Sequence, residues 1–203
     1  MKKLSLVTLS TLVFTLACTN VFAVDGTITV NGVITDGTCT LKGDGNRSSG
    51  TKDITVNLPS VPKSLFKFEP GFPNSMQVIF SMQLTNATGT GPCDAATSKA
   101  FKGVHLSPIS PTDLDDLDKS LLVNRATGAG GTSSTNPVFI RFYTYETNSI
   151  VDLNAHWGSQ AGSELYSVGN EVSIRYVATV ISNTGVVDAQ NVQAKINYTM
   201  HYN

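Results

Sequence analysis

The sequence carries little charge of either sign: 14 lysines and arginines stand against 15 aspartates and glutamates, and charged residues fill only 14% of its 203 positions. That is too little to hold a chain extended by self-repulsion, while 40% apolar residues can supply a core, so a disordered coil is excluded. With no excess of positive charge to neutralise a row of phosphates, a nucleic-acid partner is not expected. Long hydrophobic runs are also missing. The apolar stretch from Leu4 to Ala17 is shorter than the roughly 18 residues of a spanning helix, and no second candidate follows. Histidine is scarce, and His105, His156 and His201 lie in neither an HExxH nor a paired-cysteine pattern. No metal and no cofactor is expected.

The N-terminus reads as a processing segment. Met1-Lys2-Lys3 is a basic head, the apolar stretch follows, and Val21-Phe22-Ala23 places small or permitted residues where a signal peptidase cuts. Residues 1–23 are therefore read as a secretory signal, which leaves 12 basic and 15 acidic residues, a net charge of −3. Thr15-Leu16-Ala17-Cys18 faintly resembles a lipoprotein processing site, but Thr stands where Leu is usual. Removal of Cys18 leaves Cys39 and Cys93 as the only cysteines of a chain bound for an oxidising compartment, so one disulfide is expected. Closing a loop of 54 positions is worth about 4 kcal/mol in the chain-entropy account.

Along the rest of the chain the apolar period is two. Short runs rich in Val, Ile, Thr, Tyr and Phe alternate with Gly, Pro, Asn and Asp clusters, as in an antiparallel sandwich or barrel. The pattern predicts strands over 27–34, 38–42, 54–58, 76–84, 104–106, 138–145, 171–181 and 191–202, with loops over 43–51, 59–73, 85–92, 108–119 and 127–137. No internal repeat or linker divides the chain. The last strand alternates without error: Val192, Ala194, Ile196, Tyr198, Met200 and Tyr202 share one side, and polar residues fill the other. Chain ends ordinarily fray, so a strand reaching the penultimate residue must be held by something. The segment after the cleavage site is patterned too, with Val24, Gly26, Ile28 and Val30 on one side.

A cleaved signal, the run Asp25-Gly26-Thr27-Ile28-Thr29-Val30-Asn31-Gly32, the two cysteines, and the segment Tyr176-Val177-Ala178-Thr179 leading to Tyr198-Thr199-Met200-His201-Tyr202-Asn203 together resemble a chaperone-usher fimbrial subunit of the type 1 pilin-like family. The resemblance covers nearly the whole chain after the signal. It departs from the family at Gln190, where a Gly fourteen residues from the end is common, and in the insertion Asn86–Pro92 before Cys93. The resemblance implies an all-β fold: an incomplete immunoglobulin-like sandwich lacking its final strand and completed by a donor strand. It implies three regions: signal 1–23, donor-strand extension 24–31 and pilin domain 32–203. It implies that Val24, Gly26, Ile28 and Val30 are donor residues and that Val192, Ala194, Ile196, Tyr198, Met200 and Tyr202 flank the acceptor groove. The Asn203 carboxylate would be captured by a periplasmic pilus chaperone. The further partners implied are an outer-membrane usher and neighbouring copies of the same or related pilins at the cell surface. Such strand donation is a known mode of strand addition. A donated strand burying four or five apolar side chains contributes roughly 6–15 kcal/mol, comparable to the net stability of a domain.

Other functions find less support. Gly158-Ser159-Gln160-Ala161-Gly162 has its serine second rather than central, which fits a turn and not a nucleophile elbow. Asp113, Asp115, Asp116 and Asp118 lack the sixth-position Gly and twelfth-position Glu of a calcium loop, and Asn124 stands at the latter. His156 beside Trp157 is read as packing rather than as a sugar-binding or catalytic pair. Asn-X-Ser/Thr triplets begin at Asn46, Asn86 and Asn197 and are read as incidental. The expectation is a non-enzymatic structural subunit, the major pilin of its filament. The alternatives are a minor or adaptor subunit and a single-domain glycan-binding surface protein; no receptor is legible.

Overall fold

The computed structural model describes residue 29, residues 39–66 and residues 77–203. The segment 1–23 expected to be a signal, the expected donor residues Val24, Gly26, Ile28 and Val30, and nearly all of the strand expected over 27–34 lie outside the described residues. Residues 32–203 form one compact unit, and the other, Met1–Asn31, is described only at Thr29.

The unit is an all-β immunoglobulin-like sandwich built on β9 (Glu171–Ile181), an eleven-residue strand with partners along both edges. β4 (Gln77–Thr85) pairs with one edge and β7 (Phe139–Thr144) with the other. β1 (Thr40–Asp44) extends the sheet beyond β4, β6 (Leu121–Val123) extends it beyond β7, and β8 (Leu165–Val168) joins β9. All pairings are antiparallel. Alternation fixes the inner face. Val78, Phe80, Met82 and Leu84 of β4 stand opposite Ala178, Tyr176, Ile174 and Val172 of β9, and all eight are buried. Phe80 meets Phe142 edge-on at 6.0 Å and stacks near Tyr176 at 6.1 Å. The end of β9 is covered on its other face as well, where Leu121, Phe139 and Ile181 form a second cluster. Burial on both faces accounts for the apolar character of residues 176–181, interrupted only by the buried Thr179.

A second sheet pairs β5 (Phe101–Pro108) with β10 (Ile196–Tyr202), and Phe101, Val104 and Leu106 of β5 pack into the main core. Tyr176, fully buried, donates from its hydroxyl to the Val104 carbonyl (3.4 Å) and so ties the two sheets together. Cys39, just before β1, is disulfide-bonded to Cys93, with Cα atoms 5.6 Å apart. Cys93 leads into α1 (Ala95–Ala100), which Asp94 caps by accepting from the Thr97 amide (2.9 Å). This helix was not expected from the sequence.

Several boundaries differ from the sequence-based ones. The strand expected over 54–58 is only β3 (Thr55–Val56), paired with β2 (Ser48–Ser49). β6 and β8 were not anticipated; at three and four residues they are too short to show a period. The strand expected over 191–202 begins at Ile196. Residues 191–195 keep the alternating burial but are held by side-chain and loop hydrogen bonds rather than by a strand partner.

Candidate functional site

A cleft of about 1160 Å³ runs along the inner face of the six-stranded sheet. Its floor is buried and apolar, with Phe80 and Met82 from β4, Phe142 from β7, and Ala178 and Val180 from β9. One rim is the segment from Lys52 to Lys63, including β3; the other runs from Val187 to Tyr198. The floor follows from the same alternation that pairs β4 with β9, because the residues at even positions of both strands face inward. Each rim contributes partly buried apolar residues packed on the core: Ile54, Val56 and Leu58 from one, Val192, Ala194, Ile196 and Tyr198 from the other. Tyr198 joins the rims at one end, donating from its hydroxyl to the Lys52 carbonyl (2.8 Å). Burial raises the pKa of this phenol above its ordinary value.

The backbone of the second rim has a definite sidedness. Successive residues of an extended chain turn their N–H and C=O groups to opposite edges. Asn191 N–H donates to the Gly130 carbonyl (2.5 Å), and its carbonyl accepts from Asn124 Nδ2 (2.7 Å). Gln193 N–H donates to Asn124 Oδ1 (2.9 Å), and its carbonyl accepts from the Arg125 N–H (2.7 Å). Odd positions thus face residues 124–130, and β10 continues with the same parity against β5. Leu106, opposite Tyr198 in the register, turns its own N–H and C=O to the Gln160 amide (2.9 and 2.8 Å), which covers the far edge of β5. Even positions from Val192 to Met200 therefore offer their N–H and C=O groups along the edge away from β5. Among the described residues, β10 pairs with β5 alone. An edge of this kind is a template for a further strand.

The chain end is held down. Tyr202 packs its ring on Phe101 (5.6 Å), its hydroxyl lies 3.6 Å from Met200 Sδ, and Asn203 N–H donates to the Ala100 carbonyl (3.1 Å). All six apolar residues singled out in the last strand pack against the main core cluster, each only partly buried, while Asn203 is exposed. Sequence reasoning missed the floor of the cleft and the polar anchor of the rim. In the sequence Asn124 reads only as a mismatched calcium-loop position. Gln190 reads there only as a departure from the family resemblance.

The remaining candidates resolve into structural roles. Asp113 pairs with Arg125 (3.2 Å), and Asp118 pairs with Arg141. Burial opposes the charge on Asp118, but hydrogen bonds from Ser120 and the Arg141 guanidinium outweigh it and lower its pKa. Trp157 lies flat on His201 at 3.9 Å, and His156 Nε2 meets Ser159 Oγ at 3.0 Å in a surface turn. Asp94 lies near both disulfide sulfurs, but sulfurs bonded to one another offer no thiolate to a metal.

No protein-family model matches the chain. It is similar to the major fimbrial subunit SMF-1 of Stenotrophomonas maltophilia (strain K279a), 26% identical over 189 residues that span 89% of this chain and 94% of that protein. Among the described residues no helix is long and apolar enough to cross a membrane. The similarity spans most of both chains, and the fold with its Cys39–Cys93 disulfide supports a likeness to fimbrial subunits.

Proposed function

We propose that this chain is the major structural subunit of a chaperone-usher fimbria and that it polymerises by strand donation. The observation that carries this reading is the edge from Val192 to Met200, with its backbone groups directed away from β5, beside an apolar cleft whose rim side chains are only partly buried. A strand laid there would gain ladder hydrogen bonds from the rim and apolar contacts from the floor. The donor is the N-terminal segment 24–31 of the next copy, entering with Val24, Ile28 and Val30, while Gly26 fits the closest approach to the floor. Before assembly a periplasmic chaperone supplies the strand and holds the Asn203 carboxylate, and an outer-membrane usher passes subunits to the cell surface. The head-to-tail contact uses two different surfaces and does not close on itself, so it produces a fibre rather than a ring. The role needs no catalysis.

Deletion of Val24–Asn31 tests the proposal by leaving a subunit that accepts a strand and cannot donate one. Electron microscopy of cells carrying only the deleted form is expected to show no long surface filaments. Long fibres built from that form would overturn the donor assignment.

A further inference from the structure

The rim segment that would present the edge to an incoming strand has no β-ladder of its own over residues 191–195. Beside two backbone hydrogen bonds to Arg125 and Gly130, what holds it is one buried amide. Asn124 is 1% exposed and uses both ends of its side chain: Oδ1 accepts from the Ala126 and Gln193 N–H groups (3.1 and 2.9 Å), and Nδ2 donates to the Asn191 carbonyl and to Gln190 Oε1 (2.7 and 3.2 Å). Gln190 extends the network. Its Oε1 also accepts from the Ser133 N–H (3.1 Å), and its Nε2 donates to the Asn136 and Asp188 carbonyls (2.9 and 3.3 Å). The loop 127–137, generic in sequence, is thereby docked on the start of the rim.

We infer that Asn124, supported by Gln190, is a positioning residue for strand acceptance, fixing residues 191–195 extended with the Val192 and Ala194 backbone groups turned away from residues 124–130. This rests on the strand-donation reading above. The physical reason is preorganisation. A rim without a ladder partner would otherwise sample many conformations, and an incoming strand would have to order it at the moment of binding. A buried amide with four bonds removes that cost beforehand, and at position 190 a glutamine network does the work of shaping the entry to the last strand.

The test measures uptake of a fluorescent synthetic peptide with the sequence of residues 24–34 by the purified full chain, alongside hydrogen exchange at the Gln193 amide. Three variants are compared with the parent: Asn124→Ala, Gln190→Ala as the gentler change should the first fail to fold, and Asn86→Ala. The last is a control for general loosening, since the Asn86 side chain supports a remote turn through Thr88 and Thr90. The expected result is peptide uptake slowed about tenfold in the two rim variants, faster exchange at Gln193, and parental behaviour in Asn86→Ala. Parental uptake and exchange in a folded rim variant would overturn the inference while leaving strand donation standing. Equal slowing in Asn86→Ala would also overturn it, because the effect would then be general. If the parent chain itself takes up no peptide, strand acceptance fails, and the inference fails with it.

Discussion

Tyr176 shows how one residue can join the two sheets and be read only in part from the sequence. Its place in the segment Tyr-Val-Ala-Thr was part of the family resemblance, and its even position on β9 put it on the inner face. Its hydrogen bond to the Val104 carbonyl crosses 72 residues of chain, a distance over which periodicity carries no information. Burial pushes its pKa up to about 12 from an ordinary value of 10.0. The unfolded chain loses the phenolic proton first, so the contribution of this group is intact below pH 10 and declines as pH rises toward the folded value. The slope is about 1.4 kcal/mol per pH unit over that window. Denaturant titrations between pH 9 and 12 are expected to show a steeper loss for the parent than for Tyr176→Phe, which has no proton to release. Coincident pH profiles would show that the phenol is not the group responsible. At neutral pH the same variant is expected to cost about 1 kcal/mol, the worth of one buried hydrogen bond.

At the scale of elements, legibility followed the number of residues that repeat a pattern. β4, β7 and β9 were placed within a few residues because alternation there is long enough to be distinguished from chance. β6 and β8 were invisible at three and four residues, and they are strands because long neighbours supply their hydrogen bonds. The last strand is the instructive case. Its side-chain alternation from Asn191 to Met200 matches the burial, yet residues 191–195 lack a ladder, because pattern records which side is buried and not which edge is paired. The disulfide was legible by counting; that it anchors the approach to α1 was not. It joins the start of β1 to that helix across 54 positions, so replacing both cysteines with serine is expected to lower stability by about 4 kcal/mol through the restored freedom of the unfolded loop. Equilibrium unfolding of the double variant measures this directly. A change below about 1 kcal/mol would mean that strain or residual unfolded structure cancels the constraint.

For the whole molecule, the proposed strand donation would make stability a property of more than one chain. Any species that binds the folded form and not the unfolded one raises the apparent stability by mass action, and under the proposed function the binding species is another copy. The partly buried rim residues Val192, Ala194, Ile196 and Tyr198 are the surface that such a neighbour would finish burying, at about 25 cal/mol for each Å² of apolar area removed from water. The melting temperature of the full chain is therefore expected to climb with protein concentration as copies engage head to tail. The form lacking Val24–Asn31 is expected to melt at a temperature independent of its own concentration and to be rescued in a dose-dependent way by a peptide of residues 24–34. Each tenfold increase in free peptide above its dissociation constant is worth about 1.4 kcal/mol by the same linkage. Calorimetry on both forms across a concentration range of about two decades separates the cases. A concentration dependence shared equally by the deleted form would place the contact between copies somewhere other than this cleft, since that form retains the acceptor and has lost the only segment proposed to fill it.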